Sequence, residues 1–326
     1  LLGITLLPFK VSVGDQPSEK SPQLLRVGVA SIDISPSVPV RLSGYGSRTT
    51  PSEGVAQPLF AKALRLGEDT DESPLSLLLT VDSIGVPAWV SDKVFELLSQ
   101  DLDLAREHFV ICSTHTHTSP SLHGTLPFMF PSGLSEPEHK TIRDYTDTLV
   151  EKLVAVSLEA CRAPVQRQVS WGKGSLSFAA NRRVLENGKW KGFGVQEDGP
   201  VDHSFPLMKV ESETGDLIAV LANYACHCTT LGGNFNQIHG DWAGEAQAEI
   251  ERRHPGAIAL FAIGCGADQN PEPRSELAMA VTHGRAVADE VDRLLGETLT
   301  PLVKSPLGQY REIALPLEEP PTRGVW

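Results

Sequence analysis

Phe109-Val-Ile-Cys-Ser-Thr-His-Thr-His-Thr-Ser-Pro120 decides the fold class. Its first four residues, Phe109–Cys112, form a short apolar run without helical spacing, which reads as a buried strand. The strand empties at once into hydroxyls and two histidines. The same pattern recurs twice. Leu217–Tyr224 leads into Cys226-His-Cys-Thr-Thr230, and Ala257–Ile263 leads into Gly264-Cys-Gly-Ala-Asp-Gln-Asn-Pro271. In open α/β sheets, sites form outside the carboxyl ends of strands. If these three strands are parallel neighbours, their exit loops meet at one edge.

Working outward, apolar runs alternate with helical patterns, as expected for an α/β fold with a mixed β-sheet core flanked by helices and an active site at the carboxyl ends of strands. Further strands are expected at Leu25–Ile34, Ala61–Leu66, Ser76–Val81, Val169–Gly172 and Leu207–Val210. Helices are expected over Val90–Leu102, Thr141–Arg162, the segment from Asp241 to Arg253, and Ser275–Leu295. In the second of these, Ile142, Tyr145, Leu149, Leu153 and Val156 recur in steps of three and four and make one buried face. In the last, Leu277, Val281, Val291 and Leu294 point inward. Asp241 is placed to cap its helix.

The 326 residues are 40% hydrophobic and 21% charged, ordinary globular usage with enough apolar content for a sizeable core. A formal net charge of −13 argues against nucleic acid or an anionic membrane surface as main partner, because both reward clustered Lys and Arg. Cys112, Cys161, Cys226, Cys228 and Cys265 are scattered and odd in number, unlike a disulfide framework. No stretch is long and apolar enough to form a transmembrane segment. Residues 1–24 read as the remnant of a signal peptide and a tether, which implies a secreted or periplasmic protein. Residues 25–312 are expected to form one α/β domain, incomplete at its C-terminus, and the Pro-rich residues 313–326 read as a linker cut short.

His115 and His117 lie two apart. If the strand continues through them, both imidazoles project to one side, as a metal site or a general acid–base pair requires. Two histidines satisfied near a surface loop would look the same. No HExxH or CxxC signature accompanies them. His227 is a lone imidazole at the end of a very apolar run and needs a partner there, for which a metal serves. Its neighbours Cys226 and Cys228 point the other way along an extended chain, so either His227 or the two cysteines together could face one metal, and the cysteines read more simply as packing residues. Asp241, besides capping, could orient a ligand histidine. The Gly264–Pro271 loop could offer the backbone N–H groups of Gly264 and Gly266 to a developing oxyanion. Arg182 could anchor a carbonyl or carboxylate, or be a solvated charge.

Taken together, Gly28-Val-Ala-Ser-Ile-Asp-Ile-Ser-Pro36, Leu42-Ser-Gly-Tyr-Gly46, Leu59-Phe-Ala-Lys-Ala63, Ser113-Thr-His-Thr-His-Thr-Ser-Pro120, Asn181-Arg-Arg183, Tyr224-Ala-Cys-His227 and Gly240-Asp-Trp-Ala-Gly244 resemble, in order and rough spacing, the motifs of the neutral/alkaline ceramidase family. The resemblance runs from about residue 28 to residue 271. It implies a mixed α/β catalytic domain followed, in the family, by a smaller immunoglobulin-like domain. It also implies Zn2+ as cofactor, His115 and His227 as ligands, His117 as a catalytic hydrogen-bonding group and Arg182 as a holder of substrate.

Two departures accompany the resemblance. The family's GDVSPN loop carries a serine needed for activity, and Gly266-Ala-Asp-Gln-Asn-Pro271 places Gln269 there. An amide can hydrogen-bond substrate but cannot serve as a hydroxyl nucleophile. The family also completes its zinc site with a glutamate and a tyrosine from well beyond this loop, neither of which is assigned to a residue of this sequence. The reaction implied is zinc-assisted cleavage of the amide bond of an N-acyl sphingosine-like lipid, with His117 relaying the proton to the leaving amine. Two other readings are a related metallohydrolase acting on another amide or ester, and a non-catalytic lipid- or carbohydrate-binding relative.

Overall fold

A computed structural model describes residues 24–68, 74–126, 129–130 and 133–316. The expected signal-peptide remnant and most of the Pro-rich end lie outside the described residues. In chain order the strands and helices are β1 (Leu25–Asp33), β2 (Phe60–Gly67), β3 (Ser76–Val81), α1 (Ala88–Leu98), β4 (Phe109–Ser113), α2 (Glu136–Arg162), β5 (Val165–Ser175), β6 (Ala179–Asn181), β7 (Arg183–Glu186), β8 (Lys189–Phe193), β9 (Ser204–Glu211), β10 (Leu217–Tyr224), α3 (Asp241–Arg253), β11 (Ile258–Ile263), β12 (Gln269–Pro271), α4 (Leu277–Leu295) and β13 (Thr300–Pro301).

A nine-stranded mixed sheet follows the path β11-β10-β9-β5-β1-β2-β3-β4, with β13 added on β5. Two pairs are parallel, β3 with β4 and β10 with β11. They occupy opposite ends of the path, and each is joined through a helix, α1 in the first case and α3 in the second. Each end is therefore a βαβ unit. The expectation that the three exit strands are parallel neighbours holds for β10 and β11 and is corrected for β4. The sheet folds over so that β4 and β11 nonetheless come into contact.

Strand alternation explains the layering. On β2, Ala61 and Ala63 belong to a core shared with α1 and α2, whereas Leu64 and Leu66 face a second core shared with β5, β9, β10 and β11. On β10, Val220, Ala222 and Tyr224 pack with α3 and α4, and Ala219 faces the inner core. Successive side chains on a strand point to opposite faces, so both strands are buried twice over. The result is helices, strands, strands, helices, with the inner core between the two halves of the sheet.

Lys62 sits on the inward face of β2 beside Leu64, 1% exposed. Its ammonium meets Glu251 Oε1 at 2.6 Å and the Ala259 carbonyl at 2.8 Å, both from the opposite half. Asp82, at the end of β3, accepts from Phe60 N–H and from Gln247 Nε2 of α3. A buried charge persists only when it is paired and hydrogen-bonded, and these ties also pin the halves together.

α2 begins at Glu136, five residues before its apolar periodicity. Ser135 and Glu138 form a capping box there, and Glu138 also meets Arg41 at 2.9 Å. α4 departs from expectation at its start. Leu277 is exposed, because it lies in the first turn beyond the reach of the core, while Val291 and Leu294 are buried as expected. No helix among the described residues is long and apolar enough to cross a membrane.

Candidate metal centre

The folded sheet brings the loops after β4 and β10 into register. Thr116 forms a parallel bridge with Cys228, and His117 N–H donates to the Cys228 carbonyl at 3.2 Å. The hydroxyls of Thr116 and Thr118 both donate to the His239 carbonyl, at 2.9 and 2.6 Å. These ties carry His115 and His117 up to His227. The rings of His115 and His227 lie 4.5 Å apart, those of His115 and His117 4.9 Å, and those of His117 and His227 5.6 Å. A ligand nitrogen from each lies within 4.8 Å of the others, so the three could hold one metal ion.

The means of convergence differs from the sequence expectation. β4 ends at Ser113, and His115 adopts a left-handed backbone with φ 63°. The two imidazoles meet through this kink and not through strand alternation. His115 N–H is held by the Ser83 carbonyl at 2.9 Å, an anchor for a conformation that non-glycine residues seldom take.

Two rings are fixed in the same way. His115 Nδ1 lies 2.5 Å from the Ile84 carbonyl, in the loop after β3. His227 Nδ1 lies 2.6 Å from the Gly266 carbonyl, in the loop after β11. A carbonyl can only accept, so both Nδ1 atoms carry the proton and both Nε2 atoms present lone pairs. A ligating histidine is usually oriented by such a bond from its other nitrogen. His117 has no such lock. Among the described residues its Nδ1 is buried without a partner, and its Nε2 lies 3.4 Å from His115 Nε2. Lone-pair nitrogens crowded together with one buried nitrogen unpaired suit a cation between them.

Electrostatics keep the rings neutral, the form that binds metal. Burial lowers His115, with Arg182 adding to it against the opposing Ile84 bond. Burial, then His115 and His227, hold His117 well below the ordinary imidazole range. Burial and the Arg182 charge push His227 down to about 4. The thiols of Cys226 and Cys228 are pushed well up by burial and by Asp241, so they remain protonated and pack in the core, as expected.

The other candidate residues divide. Arg182 lies beside the site: its Nε donates to the Ala267 carbonyl at 3.0 Å, and its guanidinium sits 4.9 Å over Phe193. Gly264 N–H is already given to the Tyr224 carbonyl and Gly266 N–H to the Gly264 carbonyl. The expectation that these two amides face an oxyanion is therefore corrected; Gly266 serves instead through its carbonyl. Gln269 is 3% exposed, and its Oε1 accepts from Asp202 N–H at 3.0 Å. Its carbonyl also accepts His227 N–H, so it braces the histidine loop. Asp241 is not the cap of α3, a position held by Gly240. Its carboxylate accepts from the N–H groups of Thr230, Leu231 and Trp242 and thereby stitches the loop after His227 to the helix. Trp242 Nε1 donates to the His227 carbonyl at 2.8 Å.

Two neighbours carried no role in the sequence reading. The Tyr45 and His117 rings meet edge to face with centroids 5.2 Å apart, and the Tyr45 hydroxyl donates to the Leu231 carbonyl. Arg48 donates to the His117 carbonyl at 2.6 Å and to those of Ser43 and Phe235. The signal was the glycines around Tyr45: Gly44 has φ +96°, and a Cβ there would lie 2.5 Å from the His117 ring. A residue with no side chain is what lets His117 lie against this loop.

The chain is 26% identical over 272 residues to a neutral ceramidase of Mycobacterium tuberculosis (strain ATCC 25618 / H37Rv), a match covering 76% of the chain and 40% of that relative. Its fold matches the crystal structure of neutral ceramidase from Pseudomonas aeruginosa with a TM-score of 0.73 at 20% identity, over 87% of this chain and 46% of that one. A second solved structure, a ceramidase complexed with C2, matches with a TM-score of 0.71 at 18% identity, over 87% and 45%. The chain thus spans less than half the length of these relatives. The family model described as neutral/alkaline non-lysosomal ceramidase, N-terminal, matches residues 25–265, and the chain belongs to that family.

Proposed function

We propose that this chain is the histidine-bearing part of a zinc-dependent hydrolase that cleaves the amide bond of ceramide-like N-acyl lipids. Family membership supports the substrate class, since the relatives are named as ceramidases. The observation that carries the metal reading is the pair of locked rings, His115 and His227, whose Nε2 lone pairs converge. Both are neutral imidazoles with fixed tautomers, the donor set that zinc favours. Further ligands besides these two would complete a four-coordinate site.

Zinc held there would polarise the amide carbonyl and bring the pKa of water to about 7. Among the described residues no carbonyl locks the His117 ring in a tautomer, so it is the group suited to move a proton to the leaving amine. Arg182 holds a positive charge near all three rings, as their lowered pKa values register. With the Gly264 and Gly266 amides committed elsewhere, Arg182 is the remaining donor of the set for the substrate oxygen. Gln269 lacks a nucleophilic hydroxyl and is placed as a brace, which fits attack by water and not by a side chain.

The test is release of fatty acid and sphingoid base from a ceramide by the full-length protein, before and after chelation and after zinc is returned. Activity lost on chelation and restored by zinc is the expected result. Undiminished activity in chelator would contradict the metal reading. Restored cleavage of simple amides or esters, with ceramide untouched, would move the substrate to the related-metallohydrolase alternative.

A further inference from the structure

We propose that the β7–β8 hairpin is a docking element for a zwitterionic lipid–water interface, set at the rim of the histidine site. β7 and β8 pair only with each other among the described residues. An isolated two-stranded ribbon is marginal in water, and its apolar side chains are ordinarily covered. Here Leu185, Trp190 and Phe193 are 52%, 59% and 68% exposed. Leu185 pairs across the ribbon with Trp190, and the rings of Trp190 and Phe193 lie 5.8 Å apart, so the three form one patch.

Chemistry selects the occupant. Lys189 and Lys191 flank Trp190, and residues 183–193 carry Arg183, Lys189 and Lys191 against Glu186, a net charge of +2 in a chain of −13. The local sign is opposite to that of the whole. An indole beside two ammonium groups, with phenyl and leucyl neighbours, matches the boundary of a bilayer: rings among the upper acyl chains, cations at the phosphates. The overall negative charge disfavours a strongly anionic surface, so binding is to a zwitterionic one and is driven by the apolar side chains.

Position supplies the purpose. Gly194 N–H donates to the Arg182 carbonyl, and Arg182 N–H to that of Asp268, which ties the ribbon's base to the loop whose Gly266 carbonyl locks His227. Phe193 lies beneath the Arg182 guanidinium. An interface held by the ribbon would place lipid beside the three imidazoles. This purpose rests on the amphiphile-hydrolase reading, whereas the docking itself does not.

The experiment is co-sedimentation of the full-length protein with phosphatidylcholine vesicles at low and high salt, for the parent, Leu185→Ser/Trp190→Ser and Trp190→Tyr. Neither substituted residue touches the imidazoles, and both side chains are exposed. The expected result is parent binding that survives high salt, at least about tenfold weaker partitioning in the double variant, and near-parent binding by the tyrosine variant. Equal binding by the parent and the double variant would overturn the proposal, as would parent binding abolished by salt. Concentration-dependent self-association lost in the double variant, without vesicle binding by the parent, would overturn it in favour of a protein interface. Vesicle binding without ceramide cleavage would leave this inference standing and sink the proposed reaction.

Discussion

The two βαβ ends of the sheet use one device with different outcomes. At the first, β3-α1-β4, the loop after β4 supplies His115, and the loop after its parallel neighbour β3 supplies the Ile84 carbonyl that locks the ring. At the second, β10-α3-β11, the loop after β10 supplies His227, and the loop after β11 supplies the locking Gly266 carbonyl. The first end adds a further ring, His117, whose Nδ1 has no partner among the described residues. Parallel strands explain the repetition, since both members of a parallel pair end at the same edge and one exit loop can orient a side chain from the other. Each half has an outer apolar core of its own, and the halves meet through the inner core and through Lys62, Asp82 and the Thr116–Cys228 bridge. Apolar packing holds the molecule together within and between the halves, whereas the polar ties of the junction set the site geometry.

That division can be broken experimentally. Leu79→Ala, in the core of the first half, is expected to cost about 3–4 kcal/mol in urea denaturation. It should leave zinc affinity unchanged wherever the protein remains folded; a large loss of affinity would show that the core and the junction are not separable. Lys62→Ala, at the junction, should cost about 3 kcal/mol and in addition weaken zinc binding, because it unties β2 from α3 and β11. An affinity identical to the parent's would remove the junction's special role.

Acid sharpens the account of the second end. Burial holds His227 at about 4, whereas in the unfolded chain a histidine titrates near 6.5. Between those values the unfolded state binds a proton that the folded state does not. Metal-free protein should therefore lose stability as pH falls from about 6.5 to about 4, by up to about 3 kcal/mol from this residue, and no further loss from it should follow below that. His227→Asn should flatten the profile measured by urea melts across this range, and a profile unaltered by the substitution would contradict the burial argument. Trp242→Phe, which removes the bond to the His227 carbonyl and leaves a cavity in the core of the second half, should cost about 2–3 kcal/mol and loosen zinc about tenfold.

Much of this was legible in the chain. Ser76–Val81 and Leu217–Tyr224 are apolar runs that became β3 and β10 with unchanged bounds. The three polar exits marked the site because catalytic residue types seldom follow buried strands by accident. Other parts were hidden for physical reasons. The first turn of α2 is polar and lacks periodicity, although Ser135 and Glu138 carried its capping signal. β7 and β8 bury almost nothing, so no hydrophobic pattern announces them. The position of β4 at the far end of the sheet path depends on the folding over of the strands, a tertiary outcome that no local run encodes. The fate of the Gly264 and Gly266 amides depended in the same way on which carbonyls folding brought near them.

The central claim is that His115 and His227 hold one zinc ion from opposite ends of the sheet. Elemental analysis of the full-length protein beside its His115→Ala and His227→Ala variants tests it most directly. The account predicts near-stoichiometric zinc in the parent and its loss in both variants, with each variant still folded by circular dichroism. Zinc retained at the parent level in either folded variant, or absent from the parent itself, would contradict it.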